Sequence, residues 1–113
     1  MFLKFSYQKI FWTMHSKIKM RQYRFSEKRV LRILRKPNRI EEGIAPKTIA
    51  AMQITGTKKR PTEAWMMYQI IKSKVKSQKS KVRIISVWRY PGRTPKGQKP
   101  IIPEDTLNFL QGK

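Results

Sequence analysis

The chain has 113 residues, too few for two full domains, and its 39% hydrophobic content allows one modest core. Its 27 Lys and Arg face only six acids, a net charge of +21, and self-repulsion on that scale in so small a chain implies a polyanionic partner. With no cysteine and one histidine, the composition excludes disulfides, thiolate chemistry and a His-rich metal site, and it leaves a cytoplasmic setting open.

No apolar run approaches the ~20 residues of a membrane span. The apolar start, Met1 to Met14, carries Lys4 and Lys9 and has no small-residue cleavage site, so it does not read as a signal peptide. Residues 8–13, with Ile10, Phe11 and Trp12, favour a strand. Met14 to Tyr23 holds good helix formers without Gly or Pro, and Met14, Ile18 and Arg21 share one face with Met20 beside them, which predicts a short first helix. Ser26 then suits an N-cap, Glu27 a first turn, and Val30, Leu31, Ile33 and Leu34 make an apolar stripe that Pro37 ends, so a second helix is expected over 26–36.

Asn38 to Lys47, with Gly43 and Pro46, reads as a loop. Three strand-like runs follow, Thr48–Thr55, Glu63–Ile71 and Lys81–Arg89, and Lys72–Ser80 between the last two is polar, basic and too long for a tight hairpin turn. From Pro91 onward four prolines punctuate a basic segment, with room for one helical turn over Glu104–Leu110. The expected fold is α+β, with an N-terminal strand and two helices packed on one face of an antiparallel sheet of three to four strands. One domain would span residues 1–90 and a basic proline-rich tail 91–113. The core would take Ile18, Val30, Leu31 and Leu34 from the helices and Ile54, Trp65, Met67, Ile84 and Trp88 from the strands.

The run from Thr13 to Ser26 resembles the first-helix signature of small RelE-superfamily proteins, including BrnT-type toxins: His15, Met20 and Ser26 match, Lys19 replaces an Arg, and Phe25 takes the apolar place. Val30, Leu34, Pro37 and Glu41-Glu42-Gly43 resemble the second helix and its exit, and Lys81 to Arg89 is similar to the final strand, Arg-Ile-Ile-Ser-Ala-Arg-Arg. Together these motifs cover roughly residues 10–90. Three positions depart from the pattern: Tyr23 where Arg is usual, Arg24 where Gly is usual, and Trp88 where the strand has its first Arg. The resemblance implies a RelE/BrnT-like fold, a toxin that cleaves RNA without metal or cofactor, a catalytic role for His15, and an acidic antitoxin partner.

His15, Lys19 and Tyr23 recur every four residues and line one helix edge within about 80°. A ribonuclease that uses the RNA's own 2′-OH needs a base, an acid and a cation, and His, Tyr and Lys or Arg suit those tasks. Lys19 with His15 on the helix, and Arg83 with Arg89 on the last strand, are the candidate catalytic groups. Under strict alternation Arg83, Ile85, Val87 and Arg89 share a face, so the two arginines could clamp a phosphate. The bland readings are a packed His15, a solvated Lys19 and an Arg89 that simply emerges into water.

Lys28, Arg29, Arg32, Arg35 and Lys36 line the outer face of the second helix with no compensating acids after Glu27, which reads as a phosphate-tracking stripe. Lys72, Lys74 and Lys76 would extend it. Tyr23, Phe25, Trp88 and Tyr90 interleave with basic residues such as Arg24 as a base-stacking surface would need, although Trp88 shares a strand face with Val82 and Ile84 and suits the core better. The leading expectation is thus an RNA-binding, toxin-type ribonuclease, and the alternative a non-catalytic RNA- or ribosome-binding module. A membrane-surface role ranks third, and a small-molecule enzyme last, for want of a Gly-rich phosphate loop or a nucleophile triad.

Overall fold

The computed structural model describes residues 9–43, 45, 47–71 and 80–110. The elements run β1 (Lys9–Trp12), α1 (Met14–Tyr23), α2 (Glu27–Arg35), β2 (Arg39–Glu42), β3 (Thr48–Gly56), β4 (Pro61–Ile71), β5 (Lys81–Pro91) and α3 (Glu104–Leu110). The fold is α+β as expected, with a five-stranded sheet in the order β1-β5-β4-β3-β2. Strands β2 to β5 are antiparallel, and β1 joins the edge parallel to β5, which makes the sheet mixed rather than purely antiparallel.

Local chemistry accounts for the helix ends. Thr13 caps α1 by accepting from the Ser16 amide at 3.1 Å, and Ser26 caps α2 by accepting from the Arg29 amide at 3.1 Å. Between the helices Arg24 takes the left-handed conformation, φ 59°, and the Phe25 amide donates to Met20 O at 2.8 Å, so the chain turns sharply and drives Phe25 inward.

The face expected for α1 is not the one it buries. Met14 and Ile18 are exposed, and the buried side chains are Ser16, Lys19 and Met20. Ile54, expected in the core, is also exposed, because it lies toward the end of β3 beyond the helices' cover. The stretch expected as a loop contains β2, a short edge strand whose Ile40 faces solvent. Its pairing with β3 uses backbone groups, and Gly43 closes the connection where any Cβ would collide with Thr48.

Both faces of the sheet are covered. On one, Val30, Ile33 and Leu34 of α2 pack with Met20 and Phe25 against Ala51, Ala64, Met66, Tyr68, Val82, Ile84 and Val87. Burial of each large α2 side chain contributes ~1.5–3 kcal/mol. On the other, Ala50, Met52, Trp65, Met67, Ile85 and Trp88 meet Ile102, with Leu107, Phe109 and Leu110 of α3 packed against them. The expected proline-rich tail is therefore, through residue 110, part of the fold: its prolines exclude a strand but do not prevent packing, and Thr94, Pro100, Ile102 and Thr106 are buried.

A register shift in β5 decides where its side chains point. Met67 pairs with Ser86 but Tyr68 with Ile84, so Ile85 is an extra residue, a β-bulge. Val82, Ile84 and Val87 consequently face α2, and Ile85 and Trp88 face α3. The bulge is held by Thr13, whose hydroxyl lies 2.8 Å from Ile84 O and 3.2 Å from Ile85 O, so the cap of α1 also fixes the kink in β5.

Candidate nucleic-acid interface

The bulge separates the two arginines expected to act together. Arg83 lies between Val82 and Ile84 and so faces the α3 side, where it donates to Gln69 Oε1 at 3.4 Å. Arg89, two residues beyond Val87, faces α2, and its guanidinium carbon stands 5.0 Å from the Phe25 ring centroid. The clamp expected from strict alternation is thereby corrected: six residues apart would mean one face, but the extra residue inverts the parity.

Arg89 instead meets α2. The Arg29 guanidinium carbon lies 5.1 Å from the same Phe25 centroid, so two cations from elements sixty residues apart share one buried ring. Burial, then the nearby charges of Arg89 and Arg32, lowers the Arg29 pKa below the usual arginine value. Its Nε is buried without a hydrogen-bond partner. Arg89 is itself exposed, as are Arg24, Lys28, Arg32, Arg35 and Lys36 around the pair, and shallow depressions run beside Phe25, lined by Lys17, Arg21, Arg24 and Glu27, and along α2, lined by Lys28, Arg32 and Arg35. Among the described residues, the ion pairs are Lys19–Asp105, Arg39–Glu41 and Arg39–Glu63, none of them on this face.

The helix edge of His15, Lys19 and Tyr23 is assembled as its spacing implies, but it lies beneath α3. The His15 ring stacks on Phe109, centroids 4.6 Å apart and 9° from parallel, and its Nε2 is 3.2 Å from Thr106 Oγ1, which in turn contacts Ser86 Oγ at 2.8 Å. Burial lowers the His15 pKa, the charge of Asp105 partly opposes that, and Lys19 adds to the lowering. Lys19 is buried, donates to both Asp105 carboxylate oxygens at 2.8 and 3.0 Å, and sits 4.9 Å from the Tyr23 centroid. The reading of Lys19 as a solvated or phosphate-facing cation is thus corrected, since its charge is already matched inside the fold. Tyr23 is half-buried between the two cores.

Trp88, considered for base stacking, is in the core, its ring parallel to that of Trp65 within 3° at 6.0 Å. Arg24, Arg32, Arg35 and Arg89 are exposed and Arg29 is half-buried, while Lys72, Lys74 and Lys76 fall outside the described residues. Sequence reasoning missed Asp105, Thr106 and Phe109 as neighbours of His15 and Lys19, because nothing local to a segment marks a contact across some ninety positions. It missed Phe25 as the ring joining Arg29 to Arg89 for the same reason. Its one clue was an aromatic set between Arg24 and Ser26 at a helix junction.

Among the described residues no three His, Asp or Glu side chains gather as a metal site would require, and no helix is long and apolar enough to cross a membrane. Comparison with known proteins returns no matching family model, no matching curated protein and no matching solved structure.

Proposed function

We propose that this chain is a non-catalytic RNA-binding protein, of the kind that associates with RNA or ribosomal particles, and that the outer face of α1 and α2 with the end of β5 is its RNA surface. The observation that carries this reading is the excess of positive charge on one face: Arg24, Lys28, Arg32, Arg35 and Lys36 are exposed beside Arg29 and Arg89, Glu27 is the acid among them, and each described ion pair lies elsewhere. Such a surface is stabilised by phosphates, and counterion release on binding favours the complex at low salt.

The test is fluorescence anisotropy of a labelled single-stranded RNA in EDTA, with DNA of the same sequence as comparator, over a salt series. Binding at about 150 mM salt, with log affinity falling linearly in log salt and the RNA remaining intact, is the expected result. Loss of all binding at that salt, or equal binding of DNA, would overturn the RNA reading.

A second reading keeps the RelE/BrnT-type resemblance and its chemistry, a metal-independent ribonuclease with an acidic antitoxin as partner. The observation that favours it is Arg24, which adopts the left-handed conformation at the position where the resemblance expects Gly. Against it, His15 and Lys19 are engaged by α3, and Arg83 and Arg89 face opposite sides of the sheet. Cleavage in EDTA to products ending in 2′,3′-cyclic phosphate, absent in His15→Ala, would establish it in place of the first.

A further inference from the structure

We infer that Arg29, Arg32 and Arg89 form a phosphate clamp, with Arg29 and Arg89 set against the Phe25 ring, and that a phosphate group, in the first instance a phosphodiester of an RNA strand, is its ligand. The inference rests on the RNA-binding reading and narrows it to one site.

The argument begins with an imbalance. Guanidinium groups gathered at one place on a fold are ordinarily joined by a carboxylate, because like charges repel wherever water screens them incompletely, and here Arg29 is half-buried while Arg32 and Arg89 are exposed. Here Arg29 and Arg89 converge on the one Phe25 ring, Arg32 adds a third charge one turn along α2, and no acid joins them among the described ion pairs. The ring offers each cation a weak attraction and supplies no acceptor. The Arg29 Nε–H, buried and without a partner, is a donor still to be satisfied.

The arrangement is also built rather than incidental. Phe25 is fixed by the sharp α1–α2 turn, Arg29 stands on the first turn of α2, whose N-cap is Ser26, and Arg89 is brought to this face only by the bulge at Ile85. Without that extra residue Arg89 would point toward α3. The missing partner must therefore present several acceptor oxygens and negative charge to planar guanidinium forks, which a tetrahedral phosphate does and a single carboxylate does less completely. The exposed Arg24 and Arg35 on the same face suit anions repeated along a strand better than an isolated ion.

The test is NMR of the arginine Nε–H groups in the full chain during titration with a short single-stranded RNA, with inorganic phosphate and with poly-glutamate. RNA should shift the Arg29 and Arg89 Nε–H signals first. By anisotropy, Arg29→Gln and Arg89→Gln should each weaken RNA binding about tenfold and flatten the salt dependence by about one phosphate contact. Arg89→Lys should restore the salt dependence but not the affinity, and Lys59→Gln, a change of equal charge in the β3–β4 turn, should do neither.

If RNA binds and both Gln variants match Lys59→Gln, the clamp is overturned while the RNA reading stands. If RNA fails to bind but inorganic phosphate moves the Arg29 signal, the RNA reading fails and the clamp stands as a site for free phosphate groups. If poly-glutamate moves the same signals at equal or lower concentration, the assignment to phosphate is wrong and the face is a docking site for an acidic protein. The titrations use the unaltered chain, so they decide the matter even where a variant is too unstable to purify.

Discussion

Lys19 and Asp105 are joined by two hydrogen bonds, yet they occupy different environments: the lysine side chain is 2% exposed and the aspartate 53%. The lysine therefore needs the pair more than the aspartate does. An Asp105 left alone can be hydrated, whereas a Lys19 left alone keeps its charge buried against the Tyr23 ring.

Two substitutions test that asymmetry. Asp105→Asn should destabilise the fold by about 1–3 kcal/mol, the cost of leaving a buried charged donor poorly satisfied. Lys19→Met keeps the apolar stem, removes the charge and should cost under about 1 kcal/mol. Urea denaturation of the two variants and the double mutant measures both terms. A larger loss in Lys19→Met than in Asp105→Asn would contradict this account.

The pH dependence follows from the same corner. Burial lowers the His15 pKa below 6.5, Asp105 partly opposing and Lys19 adding to it, so the unfolded chain takes up a proton more readily than the folded one. His15's contribution is then complete above pH 6.5 and is lost as the pH falls from there toward the folded value. For Asp105 burial opposes ionisation, but the hydrogen bond and charge of Lys19 outweigh it and hold the pKa below 3.8, so its contribution survives that range and disappears only in stronger acid. Because His15 is the chain's one histidine, a fall in urea midpoint between pH 7 and 5 that is absent in His15→Phe would belong to it alone. An unchanged slope in that variant would remove His15 as the cause.

Glu63 ties the C-terminal segment to the sheet. Its buried carboxylate accepts from Trp65 Nε1 at 3.0 Å, from Thr94 Oγ1 at 2.7 Å and from the Thr94 amide at 3.2 Å, with Arg39 Nη1 4.0 Å away. Glu63→Ala strands these donors and should cost about 3–5 kcal/mol, with Glu63→Gln intermediate because one acceptor remains. Hydrogen exchange should show the Thr94 amide losing protection in Glu63→Ala ahead of amides in the middle of β4. Uniform loss across both would mean that Glu63 stabilises the whole fold and not this attachment.

The bulge makes a further separation measurable. Arg83→Ala should leave RNA affinity within about twofold, while Arg89→Ala should lower it about tenfold, although both remove one positive charge from the same strand. Equal losses would mean that overall charge, and not the face each arginine occupies, governs binding.

The sequence by itself determined what neighbours in the chain can settle. Ser26, Glu27, the stripe Val30-Ile33-Leu34 and Pro37 place α2 to within a residue at each end, and Met14–Tyr23 delimit α1, because capping and periodicity act over four residues or fewer. Strands β3, β4 and β5 are legible from alternation and apolar runs. The net charge and the basic face of α2 were equally plain. Strand β2 was not, since Arg39-Ile40-Glu41-Glu42 takes its order from backbone pairing with β3 and buries no large apolar side chain.

Only the tertiary structure decided which faces matter. The buried edge of α1 is the polar one because α3 brings Asp105, Thr106 and Phe109 to it from some ninety residues away. The C-terminal segment reads as a tail by composition, yet it is held through Glu63 with Thr94 and through Glu41 with the Gly97 amide. Arg89 meets Arg29 only because one unpaired residue, Ile85, inverts the side-chain parity of β5. Each of these depends on groups distant in the chain meeting at a definite register, and a register is set by the summed packing of the whole sheet rather than by any local run of residues.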